Sequence, residues 1–143
     1  MNISFLSTSS VTALAALVSL TLPVAAQSPA ADGAKVYFIS PKDGEEISGP
    51  VNVKFGLAGM GVAPAGVEKK HTGHHHLLID VDKVDLGAAL PADDNHKHFG
   101  GGQTEASVTL KPGKHTLQLL LGDHNHVPHT PPVMSEKITI TVK

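Results

Sequence analysis

Val51-Asn52-Val53-Lys54-Phe55-Gly56-Leu57 sets an apolar side chain at every second position with a small or polar one between, the period of a strand that buries one face. Ile138-Thr139-Ile140-Thr141-Val142 repeats the pattern near the end of the chain. That run lies within 135–142 (SEKITITV). The other strand signals are short, rich in aliphatic and β-branched residues, and bounded by Gly, Pro, Asn or Asp, and they fall at 35–40 (KVYFIS), 77–81 within HHHLLIDV, 105–110 (EASVTL) and 115–121 (HTLQLLL). A seventh strand is expected at 83–86. PKDGEE after the first strand and KPGK between the fourth and fifth have the composition of compact turns, and no segment sustains a helical period. The expected fold is therefore all-β, an immunoglobulin-like antiparallel β-sandwich of six to seven strands, without the inter-sheet Cys pair or core Trp of antibody domains.

The chain has 143 residues, enough for one domain. Residues 11–22 (VTALAALVSLTL) form an apolar run shorter than the roughly 20 residues of a membrane span. Pro23 breaks that run and Val24-Ala25-Ala26 supplies small residues, so residues 1–26 are expected to be a signal peptide cleaved after Ala26, although no Lys or Arg precedes the run. Residues 27–34 (QSPAADGA) then read as a flexible leader and residues 35–143 as the folded domain, exported to the periplasm, with no membrane span in the mature chain.

Composition excludes several function classes. Without cysteine there is neither a disulfide framework nor a thiolate metal site. All 11 basic residues are Lys, set against 13 acidic ones, and Tyr37, Phe38, Phe55 and Phe99 are the only aromatics after residue 26, so there is no basic stripe or stacking platform for nucleic acid. The departure from ordinary composition is ten histidines, all after residue 70.

They occur as HTGHHH (His71, His74, His75, His76), HKH (His96, His98), the isolated His115, and DHNHVPH (His124, His126, His129). Three of these groups contain H-x-H, which on an extended backbone puts two imidazoles on one face about 6.5–7 Å apart, within reach of a shared ion. In a sandwich the chain reverses at each turn, so the loop before 74–81 and the loop after 115–121 lie at one end. If 83–86 runs back up, His96 and His98 reach that end too, and nine of the ten histidines share a rim with Met60 and Met134. The candidate metal ligands are therefore His74, His76, His124, His126, His129, His71, His96 and His98, with Met60 and Met134. His115 falls at the opposite end, where a hydrogen-bonded structural role is expected. His75 stands open between a buried imidazole and a ligand. Asp123 is either an acceptor that fixes a histidine tautomer or a turn former after Gly122.

Imidazole nitrogens without thiolate admit copper, zinc or nickel, and the affinity order puts Cu(II) highest. Thioethers at Met60 and Met134 would favour copper further. The expected cofactor is thus copper, with zinc as the alternative, held by neutral imidazoles.

At the level of longer stretches the chain resembles a bacterial periplasmic family known as a domain of unknown function, number 4399. The stretches that carry the resemblance are FISPKDGEEISGPVNVKFGLAGMGVAPAG (38–66), TGHHHLLID (72–80), HFGGGQTEASVTL (98–110), PGKHTLQLLLGDHNHVPH (112–129) and PPVMSEKITITV (131–142). The resemblance implies an exported single domain and brings no activity or ligand with it. A distant similarity to copper/zinc superoxide dismutase, which also sets H-x-H ligands on a β-sandwich, stops short of activity, because that family uses a disulfide and an arginine that this chain lacks. Small periplasmic copper chaperones are similar in general character, with no motif aligned.

Three functions fit these readings. The first is a periplasmic metal carrier or buffer, not an enzyme, whose partners are the metal ion and another metal-handling protein. The second is a metal-dependent redox or hydrolytic enzyme on the same rim, with Asp123 or Glu105 as its acid or base. The third is a metal-free interaction domain of the envelope.

Overall fold

Val51, Val53 and Phe55 are buried and Asn52 and Lys54 are exposed, so the alternation legible in the sequence does set one face of a strand into a core. The computed structural model describes residues 26–143. Its strands are β1 (Lys35–Ser40), β2 (Glu46–Ile47), β3 (Val51–Ala58), β4 (Gly61–Val62), β5 (Thr72–Ile79), β6 (His96–His98), β7 (Glu105–Val108), β8 (Gly113–Gly122) and β9 (Ile138–Val142). There is no helix among the described residues, and hence none long and apolar enough to cross a membrane. The expected signal segment lies, apart from Ala26, outside the described residues.

The strands form a three-stranded sheet in the order β1-β3-β7 and a six-stranded sheet in the order β2-β9-β8-β5-β4, with β6 also paired to β5. In the lettering of immunoglobulin sandwiches this is A-B-E packed on G-F-C, the constant-type order without strand D. Val36, Val51, Val53 and Phe55 of the first sheet meet Leu77, Ile79, Leu117, Leu119, Leu121, Ile140 and Val142 of the second in one buried cluster. An aliphatic core of this kind replaces the missing disulfide and Trp. Burying each such side chain contributes about 1.5–3 kcal/mol relative to leaving it in water.

Two features depart from the sequence reading. The seventh strand is not at 83–86: Val81, Val84 and Leu86 instead join Leu78, Leu90 and Leu120 in a second, smaller cluster, and the strands added to the expected six are Glu46–Ile47, Gly61–Val62 and His96–His98. Covering the outer face of the second sheet is what this irregular segment does. The segment expected to be a loose leader is tied down at its start. The Gln27 amide donates to the Leu86 and Pro128 carbonyls, and Thr130 N–H donates to Ser28 O at 3.0 Å.

Candidate metal centre

β5 is buried on both faces, which is unusual for one strand of an antiparallel sandwich and decides where its histidines point. Successive side chains alternate. His75, Leu77 and Ile79 oppose Leu121, Leu119 and Leu117 of β8 and enter the main core, whereas His74, His76 and Leu78 oppose Gly122, Leu120 and Gln118 on the outer face. β6 brings His98 directly opposite His76 on the other edge of β5. His126 arrives from the β8–β9 connection, which folds back through hydrogen bonds from His126 N–H to Asp123 O and from Asp123 N–H to Val127 O, each 2.9 Å. The outer cover holds it in place, since Leu90 N–H donates to His126 O at 2.9 Å.

Four imidazoles therefore converge on one patch of the outer face. Ring centroids lie 4.8 Å apart for His74 and His76, 4.9 Å for His74 and His98, 5.1 Å for His76 and His98, and 5.1, 6.1 and 4.7 Å from His126 to His74, His76 and His98. Rings bound through nitrogen at ordinary zinc or copper distances to one tetrahedral ion would stand roughly 5 Å apart. One ligand atom from each of His74, His76 and His98 lies within 4.8 Å of the others, so these three can hold a metal ion.

The local electrostatics keep His74, His76 and His98 in the binding form. Burial first, then the neighbouring His98 and His126, push His74 down from 6.5 to about 4, against an opposing pull from Asp123. Burial, followed by His74, His98 and His126, takes His76 to about 3. His98 is lowered by burial and by His126. Neutral imidazole is the form that ligates. His74 and His76 are 0 and 1% exposed, while His98 and His126 are half-buried, so the ring set opens to solvent on the side of the latter two. No protein atom accepts from or donates to Nδ1 of His74, Nδ1 of His76 or Nε2 of His98.

Comparison with known families matches residues 53–143 to one described as a domain of unknown function, DUF4399. The chain belongs to that family. The matched stretch runs from within β3 to the end of the chain and includes all ten histidines. No curated protein and no solved structure matches the chain.

The remaining candidate ligands lie elsewhere. His71, His124 and His129 line a separate cleft with Asp123, Glu68 and Lys70. His124 Nε2 accepts from Asn125 Nδ2 at 2.9 Å, and His129 Nε2 donates to Thr72 O at 3.1 Å. His96 lies on the same face of β6 as His98 but one strand position pair further along, opposite Leu78, where its Nδ1 meets Asp93 Oδ1 at 2.8 Å. Met60 packs against the main core, and Met134 is 38% exposed in the groove between β1 and the segment leading to β9. His75 is fully buried beside Phe55, ring centroids 4.9 Å apart, and neither ring nitrogen has a protein partner. His115 sits at the other end, bonded to Asp80 at 2.7 Å and to Lys111 O at 2.8 Å. Asp123 is a turn former: it accepts from Ser28 Oγ at 2.7 Å and from the N–H groups of Asn125 and Val127 at 2.9 and 3.0 Å.

The expected rim is thus partly right in its topology. The loops before β5 and after β8 do share an end, as the hydrogen bond from Gly66 N–H to His124 O shows. The convergence itself lies inward of that rim, on the sheet face. Sequence reasoning missed Gly100 and Gly122, where a Cβ would collide with the His98 and His76 rings.

Proposed function

We propose that this domain binds one transition-metal ion through His74, His76, His98 and His126, copper before zinc, and serves as an exchangeable carrier or buffer. The observation that carries the reading is the mutual approach of four imidazoles from three separate segments. An all-imidazole set is admissible to several divalent ions, and the affinity order favours Cu(II) over Zn(II). The placement of Met60 and Met134 lends the copper assignment no thioether support.

Two features favour exchange over catalysis. Imidazole ligands that are held tightly usually donate their outer N–H to a carboxylate or carbonyl, and loss of such a partner lowers affinity about 10- to 100-fold. Here the outer nitrogens of His74 and His76 have none. A hydrolytic or redox enzyme would also need an acid or base beside the ion. Asp123 is committed to Ser28 and two backbone N–H groups, and Glu105 lies on β7 in the other sheet, exposed.

The setting we propose is the periplasm, reached through the apolar run at residues 11–22, and the partner is another metal-handling protein of that compartment. Cell fractionation of the untagged protein checks the first point. Calorimetric titration of metal-free protein with Cu(II) and Zn(II), beside a His74→Ala/His126→Ala variant, checks the site. One ion bound by the parent and none by the variant is the expected result; affinity no better than that of a surface polyhistidine tag overturns it.

A further inference from the structure

Three glycines stand where a side chain would collide with a histidine ring. A Cβ built on Gly122 would lie 2.8 Å from His76 Nε2 and 3.1 Å from its Cδ2, and one on Gly100 would lie 2.3 and 2.5 Å from His98 Cε1 and Nε2. Gly73 is different in kind, because its Cβ would strike the Gly122 carbonyl at 2.6 Å as well as His129 Cε1 at 2.9 Å. Neither Gly100 nor Gly122 has the positive φ for which glycine is ordinarily needed. Gly122 is the last residue of β8, paired across from His74 at the end of the ladder. The backbone requires neither of them to be glycine; the imidazoles do.

The Gly100-Gly101-Gly102 tract separates cleanly on this criterion. Gly102 has φ of 81° and serves a turn, its N–H donating to Phe99 O at 3.2 Å. A Cβ on Gly101 would meet only the end of the Gln103 side chain, at 3.1–3.2 Å. Gly100 alone faces His98, and its carbonyl is fixed by Ala65 N–H at 2.8 Å.

We propose that Gly100 and Gly122 are ligand-positioning residues of the four-histidine centre, each giving an imidazole a seat against bare backbone so that its nitrogen reaches the common point. Gly122 lets the His76 ring lie down over β8 toward His74, and Gly100 does the same for His98 over the turn after β6. With a methyl group at either seat, the ring must rotate away from its partners. This role rests on the metal-binding reading above.

The test is a double-mutant cycle read in two ways, by Cu(II) calorimetry and by the melting temperature of the metal-free protein. The variants are Gly122→Ala, His76→Ala and the pair together, the matching set for Gly100 and His98, and Gly101→Ala as a control. Gly122→Ala is expected to weaken Cu(II) binding by about 10- to 100-fold, the range typical of a lost support to a ligand. Once His76 is alanine, the nearest remaining atom to the new methyl is the His126 carbonyl carbon at 3.5 Å, an ordinary contact. The second substitution should then change neither affinity nor melting. At Gly100 the residual neighbour is Ala65 Cβ at 3.3 Å, so a small melting penalty remains in that background. Gly101→Ala should behave as the parent.

Wild-type affinity in Gly122→Ala, or an equal loss of melting temperature with and without the His76 ring, overturns the role of the glycines while leaving the metal site standing. Should Gly122→Ala fail to fold, recovery of the fold in the double variant supports the proposal and continued failure overturns it. Equal Cu(II) binding by the parent and His76→Ala overturns the metal reading and the positioning role together.

Discussion

The Nε2 atoms of His74 and His76 stand 3.0 Å apart on the outer face of one strand. Between two neutral imidazoles that separation fits one shared proton. It is also near the roughly 3.3 Å edge of a nitrogen tetrahedron around a zinc- or copper-sized ion. A proton and a metal ion therefore compete for the same pair of lone pairs, and the balance is measurable.

Metal should stabilise the fold by mass action. At about 100 times its dissociation constant, an ion that binds only the native state adds about 2.7 kcal/mol. Thermal melting with and without Cu(II) should show that gain in the parent and lose it in His76→Ala. No metal-dependent shift in the parent would contradict the site.

His75 should behave as the opposite of its neighbours. Its ring faces the main core with both nitrogens unpartnered, and a buried polar group without a partner costs about 1–3 kcal/mol. His75→Leu should accordingly hold or raise stability, by up to about 2 kcal/mol, with metal affinity unchanged. Urea unfolding and calorimetry on the same variant measure both; a loss of metal binding would place this ring in the site after all.

Acid should unfold the metal-free protein early. Burial is the first cause that pushes His74 and His75 to about 4 and His76 to about 3 in the fold, against 6.5 for a free imidazole. Between those values the unfolded chain holds more protons than the native one, so stability falls as pH drops below about 6.5. Each ring contributes a slope of up to about 1.4 kcal/mol per pH unit. His115 runs the other way: its hydrogen bond to Asp80 raises it, so its contribution is complete below the unfolded value and is lost as pH rises through the folded one. That loss lies above 6.5 and the contribution of the buried rings below it, so the slope below 6.5 keeps its sign. Urea midpoints taken from about pH 7 to about pH 4.5 give that slope, and His75→Leu should lower it by about a quarter to a third, because the half-buried His98 is lowered too.

Asp123 supports His126 indirectly. Burial works to raise its carboxyl, but hydrogen bonds from Ser28 and from the N–H groups of Asn125 and Val127 outweigh that, so it stays ionised and holds the turn on which His126 rides. Asp123→Ala should cost about 1–3 kcal/mol and weaken metal binding, with Ser28→Ala giving a smaller change in the same direction. Unfolding midpoints and calorimetry would show whether the two losses move together; normal metal affinity in Asp123→Ala would mean that the turn does not position His126.

The sandwich was legible because Val51, Val53 and Phe55, and Ile140 and Val142, each follow the two-residue period that burial of one face imposes. The H-x-H spacing likewise marked His74 with His76, and the HKH group supplied His98. Other features left weaker traces. The outer face of β5 is covered by Val81, Val84, Leu86 and Leu90, which follow no strand period, so nothing in that stretch announced that His74 and His76 would be buried rather than lie on a solvated rim. β6 lacks β-branched residues, and Lys97 between its two histidines reads as loop. His96 and His98 share a face, yet Asp93 engages the first and Gly100 seats the second, a distinction that depends on neighbours brought together only by folding. Nor does GGG by itself mark which of its glycines faces a ring; only at position 100 would a Cβ meet His98.

Burial of β5 on both faces gives its pairing register a chemical meaning. Sliding that strand by one residue against β8 would exchange the two sets of side chains, sending His75 to the outer patch and thrusting two polar rings among leucines. Correct alignment of that strand is consequently a precondition for the donor set, which His98 and His126 complete from two other segments.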